Sequence, residues 1–148
     1  MLIRKAQVGD EFSILELIQG LAEYENEPDA VEITASQLRI DLFERNICDA
    51  FVAETNGQII AFALYYTSYS TWKGASVYLE DLYVLPEHRK DGVGSMLFDA
   101  IVNVARERKV KRLDWQVLDW NKPAINFYKK KGALLDGEWL NGRMFFEY

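Results

Sequence analysis

The sequence predicts an α/β (α+β) protein, a mixed, mainly antiparallel sheet of about six to seven strands with helices on both faces, and three observations predict it. Asn56-Gly57 separates Asp49–Thr55 from the β-branched and aromatic run Gln58–Tyr66, the strongest short-range signal for a hairpin. Ile14, Leu17, Ile18 and Leu21 recur at i, i+3, i+4 and i+7, the period of a core-facing helix. From Tyr78 onward a strand, a loop with two glycines, an amphipathic helix and another strand follow in order. That order implies a right-handed crossover with parallel pairing in an otherwise antiparallel sheet.

Leu2 to Gln7 is expected to form the first strand, and Asp10 to cap the helix through Leu21. That helix runs into Ala22-Glu23-Tyr24-Glu25-Asn26-Glu27-Pro28-Asp29, where carboxylates oppose the helix dipole unless solvent or a cation offsets them. Thr34 followed by Gln37 fits a capping box for a short helix through Leu38, Leu42 and Phe43. After the hairpin at Asn56-Gly57, a second turn near Ser70 to Gly74 returns the chain to the strand before the glycines. Leu97, Ile101 and Val104 line the apolar side of the next helix. Leu113, Trp115 and Val117 then alternate with polar residues over Arg112 to Leu118, as in a strand. Pro123 opens a last short helix at a position proline tolerates, Gly132 ends it, and Leu134 to Tyr148 is expected to form a hairpin turning at Asn141-Gly142.

With 148 residues, 49% of them hydrophobic and 14% aromatic, one domain with a sizeable core is expected, and a second catalytic domain has no room. No run approaches the length of a membrane span, and the first residues lack the apolar core of a secretion signal, so a soluble, cytoplasmic protein with no membrane partner is expected. One cysteine, Cys48, rules out an intrachain disulfide, and with His88 as the one histidine there is no Cys/His cluster for a metal. Seventeen basic against 23 acidic residues give net −6, which argues against nucleic acid and suits a cationic substrate.

The stretch from Tyr78 to Ser95 carries the chemistry. A helix start presents unpaired backbone N–H groups and partial positive charge, and glycine lets an anion come close to them; Arg89 and Lys90 add cationic donors. A P-loop fails because no lysine follows Gly94, and a dinucleotide fingerprint fails because Leu97 stands where a third glycine is required. Arg89-x-x-Gly92-x-Gly94 remains, either as a phosphate site or as a glycine-rich turn with no ligand. Just upstream, Glu80 and Asp81 interrupt an apolar strand. Neighbours in a strand point to opposite faces, so at least one of them turns inward or into a cleft, as a salt-bridge partner or as a base or cation-binding group. On the helix begun by Pro123, Ala124 and Tyr128 share a face, and Tyr128 is either a core tyrosine or a catalyst.

Arg89-x-x-Gly92-x-Gly94 and Asn121-x-Pro123-Ala124-x-x-Phe127-Tyr128-x-x-x-Gly132, in this order, resemble the GCN5-related N-acetyltransferases over almost the whole chain. Ala22-Glu23-Tyr24-Glu25, Ala61–Tyr66, Tyr78–Val84 and Trp120–Tyr128 narrow the resemblance to spermidine/spermine (diamine) acetyltransferases, close relatives of which serve thialysine and similar amino acids. The resemblance implies acetyl-coenzyme A as co-substrate, with no metal. Its contacts would come from Leu82, Tyr83, Val84, Arg89, Lys90, Asp91, Gly92, Val93, Gly94, Ser95, Asn121 and Ala124, and Tyr128 would lie at the coenzyme sulfur. It further implies Tyr24, Glu25, Glu80 and Asp81 at the amine, and a homodimer. In the last turn the pattern departs, since here Glu138 and Trp139 precede Asn141-Gly142.

An alkylammonium, with a pKa of about 10, has no lone pair, so a base is needed; Glu80, directly or through water, is the candidate. An N–H of the strand at Leu82 to Val84 would stabilise the oxyanion, and Tyr128 would protonate the leaving thiolate. Gathered acids at Glu25, Glu80 and Asp81 favour a diamine or polyamine over an amino acid, whose carboxylate they repel. Acetylation of thialysine-like amino acids or of protein amines, and a non-catalytic acyl-coenzyme A sensor, are the alternatives.

Overall fold

The computed structural model describes all residues, Met1–Tyr148, and its elements are β1 Leu2–Lys5, α1 Glu11–Tyr24, α2 Ala35–Arg39, β2 Asp49–Thr55, β3 Gln58–Ser70, β4 Gly74–Val84, α3 Val93–Glu107, β5 Leu113–Asp114 and α4 Lys122–Lys130. The strands form one sheet in the order β1-β2-β3-β4-β5, antiparallel except for the β4–β5 pair. The β2–β3 hairpin turns at Asn56 and Gly57 with φ of 51° and 75°, the left-handed pair that matches strand twist. At the β3–β4 turn the Ser70 hydroxyl accepts the N–H groups of Trp72 and Lys73.

The sheet therefore has five strands rather than six or seven. The strand expected over Arg112 to Leu118 is reduced to Leu113–Asp114, and the expected hairpin from Leu134 to Tyr148 has no strand at all. Alternation marks a segment able to pair, yet a strand exists only where a partner completes its hydrogen bonds. Leu134, Leu140 and Phe145 are accordingly exposed. Trp139 donates its indole N–H to Asp136 at 3.0 Å and remains on the surface.

The chain divides into two compact units, Met1–Trp115 and Gln116–Tyr148. In the first, one face of the sheet is covered by Ile14 and Leu17 of α1, Leu38 of α2 and Leu42, packed with Ala50, Val52, Phe62 and Tyr83. The cross-strand register puts Ala63, Tyr65 and Val84 on the other face, where α3 buries Val93, Leu97, Phe98, Ile101 and Val104. Burial of each such large side chain is worth about 1.5 to 3 kcal/mol. Phe98 meets Trp115 edge-on at 5.4 Å, and the Arg108 guanidinium covers the Tyr65 ring at 5.7 Å.

Thr34 caps α2 as expected, its hydroxyl accepting the Gln37 N–H at 3.1 Å, and the helix continues as a wider π turn over Ile40–Glu44. Asp10 stands before α1, but its carboxylate makes no cap bond. It accepts from Arg4 Nη1 at 2.7 Å and from the Gln7 N–H at 2.7 Å, while Arg4 Nε reaches Glu54 at 3.1 Å. Burial opposes the Asp10 charge, but the Arg4 and Gln7 hydrogen bonds prevail and hold its carboxyl below the usual range. In the second unit, Asn121 caps α4 by accepting the Ala124 N–H at 3.4 Å, and Gly132 at φ 88° closes the helix.

Candidate functional site

β4 is the element around which the site is built. Leu64 pairs with Asp81 and Tyr65 with Leu79, so Glu80 is an extra residue, a β-bulge. Tyr65 and Leu79 lie on the α3 face. Beyond the bulge, Asp81 shares its face with Leu64, Phe62 and Tyr83, the face that α1 covers. The one-residue bulge thus turns a carboxylate toward the end of α1 that would otherwise point at α3. Glu80 is exposed and Asp81 half-buried, so the inward residue of the pair is Asp81.

Burial pushes the Asp81 carboxyl up to about 7, and the charges of Glu80 and then Glu25 add to the shift. Glu25, just past the end of α1, is itself raised by burial. Asp81 therefore feels two other carboxylates, its neighbour Glu80 and Glu25 from a distant part of the sequence, although no group of three acids is close enough to hold a metal ion. Tyr66 and Tyr78, paired across β3 and β4, stack at 5.2 Å. Burial raises the phenols of both, that of Tyr78 to about 12, and the Glu80 charge adds to each shift, so these rings stand beside the carboxylates. They were not among the site residues expected from sequence. Tyr78 stands two residues before Glu80 and the turn at Ser70–Gly74 sets Tyr66 opposite it, so hairpin register is the signal that finds them.

At the other end of β4 the material is backbone. β5 pairs with β4 only at Val77 and Tyr78, so the β5 side of the strand from Leu79 through Leu82, Tyr83 and Val84 has no partner strand. Such an edge is open to a ligand that carries amides. After a short 3₁₀ turn at Pro86–His88, Lys90 and Gly92 take φ of 75° and 79°, the left-handed conformation that builds anion-binding concavities. Gly92 is the cap position of α3, and Val93, Gly94 and Ser95 form its first turn. Gly94 does not have a positive φ, and a Cβ there would meet nothing nearer than Val84 Cγ2 at 3.7 Å. The fold itself does not require a glycine at 94. What a Cβ would fill is the approach to the open N–H groups of the helix start. These residues fit a pyrophosphate-bearing, amide-bearing ligand such as coenzyme A.

Arg89 behaves differently from its neighbours. Its Nε donates to the Val84 carbonyl at 3.0 Å, and its guanidinium lies 5.3 Å from the centre of the Tyr24 ring and 5.4 Å from that of Tyr83. Each such cation–aromatic contact is worth about 0.5 to 2 kcal/mol. The side chain is thereby committed to the α1 face of the sheet.

The remaining expected residues, Asn121, Ala124 and Tyr128, belong to the second unit. Asn121 and Ala124 are joined by the helix cap, and Tyr128 is buried, its ring edge-on to Phe127 at 5.2 Å.

Residues 14–133 match the description of the acetyltransferase (GNAT) family. Among relatives, the chain is 44% identical over 142 residues to a thialysine N-epsilon-acetyltransferase of Bos taurus, covering 90% of this chain and 84% of that one. It is 36% identical over 140 residues to the spermidine/spermine N(1)-acetyltransferase-like protein 1 of Homo sapiens, covering 89% of this chain but 20% of that protein. In fold it is similar to an aminoglycoside acetyltransferase from an uncultured soil metagenomic sample, with a TM-score of 0.80, 20% identity and coverage of 99% of this chain and 96% of the other. With its open strand edge, its glycine-started helix and these relatives, the chain belongs to the acetyltransferase (GNAT) family and is an N-acetyltransferase.

Proposed function

We propose that the protein acetylates the terminal side-chain amine of a small lysine-like amino acid of the thialysine kind, from acetyl-coenzyme A. The observation that carries this reading is the half-buried Asp81 carboxyl, which feels the charges of Glu80 and Glu25 beside the open edge of β4, taken with the thialysine-named relatives. The expected repulsion between these acids and an amino acid's carboxylate favours a polyamine, but it assumes three full negative charges. Burial pushes the Asp81 carboxyl up to about 7, so these acids carry less charge at neutral pH than their count. A polyamine stays as the second reading, supported by Glu25 as a site for a distal ammonium and by the human relative's name.

When bound, acetyl-coenzyme A supplies a thioester carbonyl as acyl donor. Backbone groups of Val93, Gly94 and Ser95, with those of Lys90, Asp91 and Gly92 before them, would hold its pyrophosphate; Leu82, Tyr83 and Val84 offer backbone groups along the open edge, one N–H of which would stabilise charge on the acyl oxygen. Tyr24 and Glu25 hold the amine. Its proton passes to the Glu80–Asp81 pair, directly or through water, and a carboxyl titrating near 7 is matched to that task at neutral pH. By the resemblance, Tyr128 would return a proton to the coenzyme sulfur, and Asn121 with Ala124 would contact the coenzyme. The homodimer implied by the resemblance belongs to the same reading, and sedimentation tests it.

Coenzyme A release from acetyl-coenzyme A, measured with thialysine, lysine, spermidine and a lysine-containing peptide, tests the substrate. The expected result is a kcat/KM for thialysine about 10-fold or more above that for spermidine. The reverse order selects the polyamine, and no turnover of any amine removes the reading.

A further inference from the structure

We infer that Arg89, although it stands in the glycine loop, is a positioning residue for the amine pocket, through which an ordered coenzyme loop holds the end of α1 in place. The inference rests on the amine site proposed above at Tyr24 and Glu25. The loop that feeds α3 starts on the α3 side of the sheet, where Val84 faces Gly94. Tyr83, one residue earlier on β4, faces the other way and packs with Ile14 and Leu17 of α1. Arg89 crosses between these sides. Its Nε holds the Val84 carbonyl, and its guanidinium sits against both Tyr83 and Tyr24.

The neighbouring residues accommodate this arrangement. A Cβ at Gly20 would lie 3.0 Å from the Tyr83 hydroxyl, so glycine there lets the Tyr83 ring lie flat against α1, about one turn before Tyr24. Tyr24 ends α1 and Glu25 follows it, and Tyr24 is partly exposed. No basic residue lies in the last turn of α1. Arg89 is thus a cation brought to a helix C-terminus that its own sequence leaves acidic, and it belongs to the loop that the coenzyme orders.

Amide hydrogen exchange reads this coupling without turnover. Saturating coenzyme A is expected to slow exchange over residues 21–27 about 10-fold in the wild type and less than about 2-fold in Arg89→Lys, which keeps the charge but loses the planar stack. Kinetics at saturating acetyl-coenzyme A provide the second readout. Arg89→Lys is expected to raise the amine KM about 5- to 10-fold with kcat within about 2-fold, Tyr24→Leu to do the same, and Tyr24→Phe to restore it, with the Arg89→Lys/Tyr24→Leu double variant no worse than either single. Equal protection in wild type and Arg89→Lys overturns the inference, as does an amine KM unchanged by Arg89→Lys in an active enzyme. A wild type that acetylates no amine, yet shows Arg89-dependent protection, overturns the amine reading and leaves the coupling standing.

Discussion

At the loop end of β4, Gly92 and Gly94 offer backbone to a ligand, whereas upstream Glu80 and Asp81 offer side chains, and the Asp81 carboxyl is raised by burial and then by the charges of Glu80 and of Glu25 from another element. The first region is local: strand, turn and helix start are contiguous, and the site exists once the turn forms. In the second, the bulge at Glu80 decides which carboxylate turns toward α1, and burial among other acids decides its charge. Sites made of backbone depend on few neighbours, while sites made of converging side chains depend on the whole fold.

Substitutions separate the two kinds of site, and the largest effect is expected at a side chain. Tyr128→Phe deletes one hydroxyl from a buried ring and should lower kcat by about 10²-fold or more with little change in coenzyme affinity. A kcat within about 2-fold of wild type would give the sulfur's proton to water instead.

Next come the carboxylates. If the Glu80–Asp81 pair accepts the amine's proton, kcat/KM should rise with pH through about 7, the value to which Asp81 is raised. Asp81→Asn should flatten that limb and lower the rate about 10- to 100-fold, and Glu80→Gln should lower the rate while shifting the limb to lower pH, because one of the charges raising Asp81 is gone. A limb at 7 that survives Asp81→Asn unchanged would assign it to another group.

At the backbone end, Gly94→Ala should weaken acetyl-coenzyme A about 10-fold by calorimetry while the melting temperature holds or rises, since the added methyl meets only Val84 at 3.7 Å and removes glycine's excess freedom. Unchanged affinity would place the coenzyme elsewhere.

The smallest effect is on stability. A carboxyl raised in the folded state binds protons that the unfolded chain has released, so Asp81 costs nothing below about pH 4 and its cost grows as pH rises to about 7, then stays constant. Asp81→Asn should therefore stabilise the protein at pH 8, by on the order of 1 to 3 kcal/mol, and leave it unchanged near pH 3.5 in denaturant titrations. Equal stabilisation at both pH values would show that burial of the charge is not its cause.

Sequence by itself determined what depends on neighbours in the chain: the Asn56-Gly57 hairpin, the Thr34 cap, the crossover from β4 through α3 to β5, and the glycines that open α3. Each is a local backbone preference or a short-range periodicity, and these act before any tertiary contact forms. Tertiary structure decided the rest. It set the number of strands, because Arg112 to Leu118 and Leu134 to Tyr148 carry strand-like residues but a ladder needs a partner. It chose between Glu80 and Asp81 through a bulge that no periodicity announces, gathered Tyr66 and Tyr78 beside them by cross-strand register, and drew Asp10 from helix capping to Arg4. It also turned Arg89 away from the helix start its motif suggests, because a guanidinium gains more between two tyrosine rings and a carbonyl than in open solvent beside its own loop.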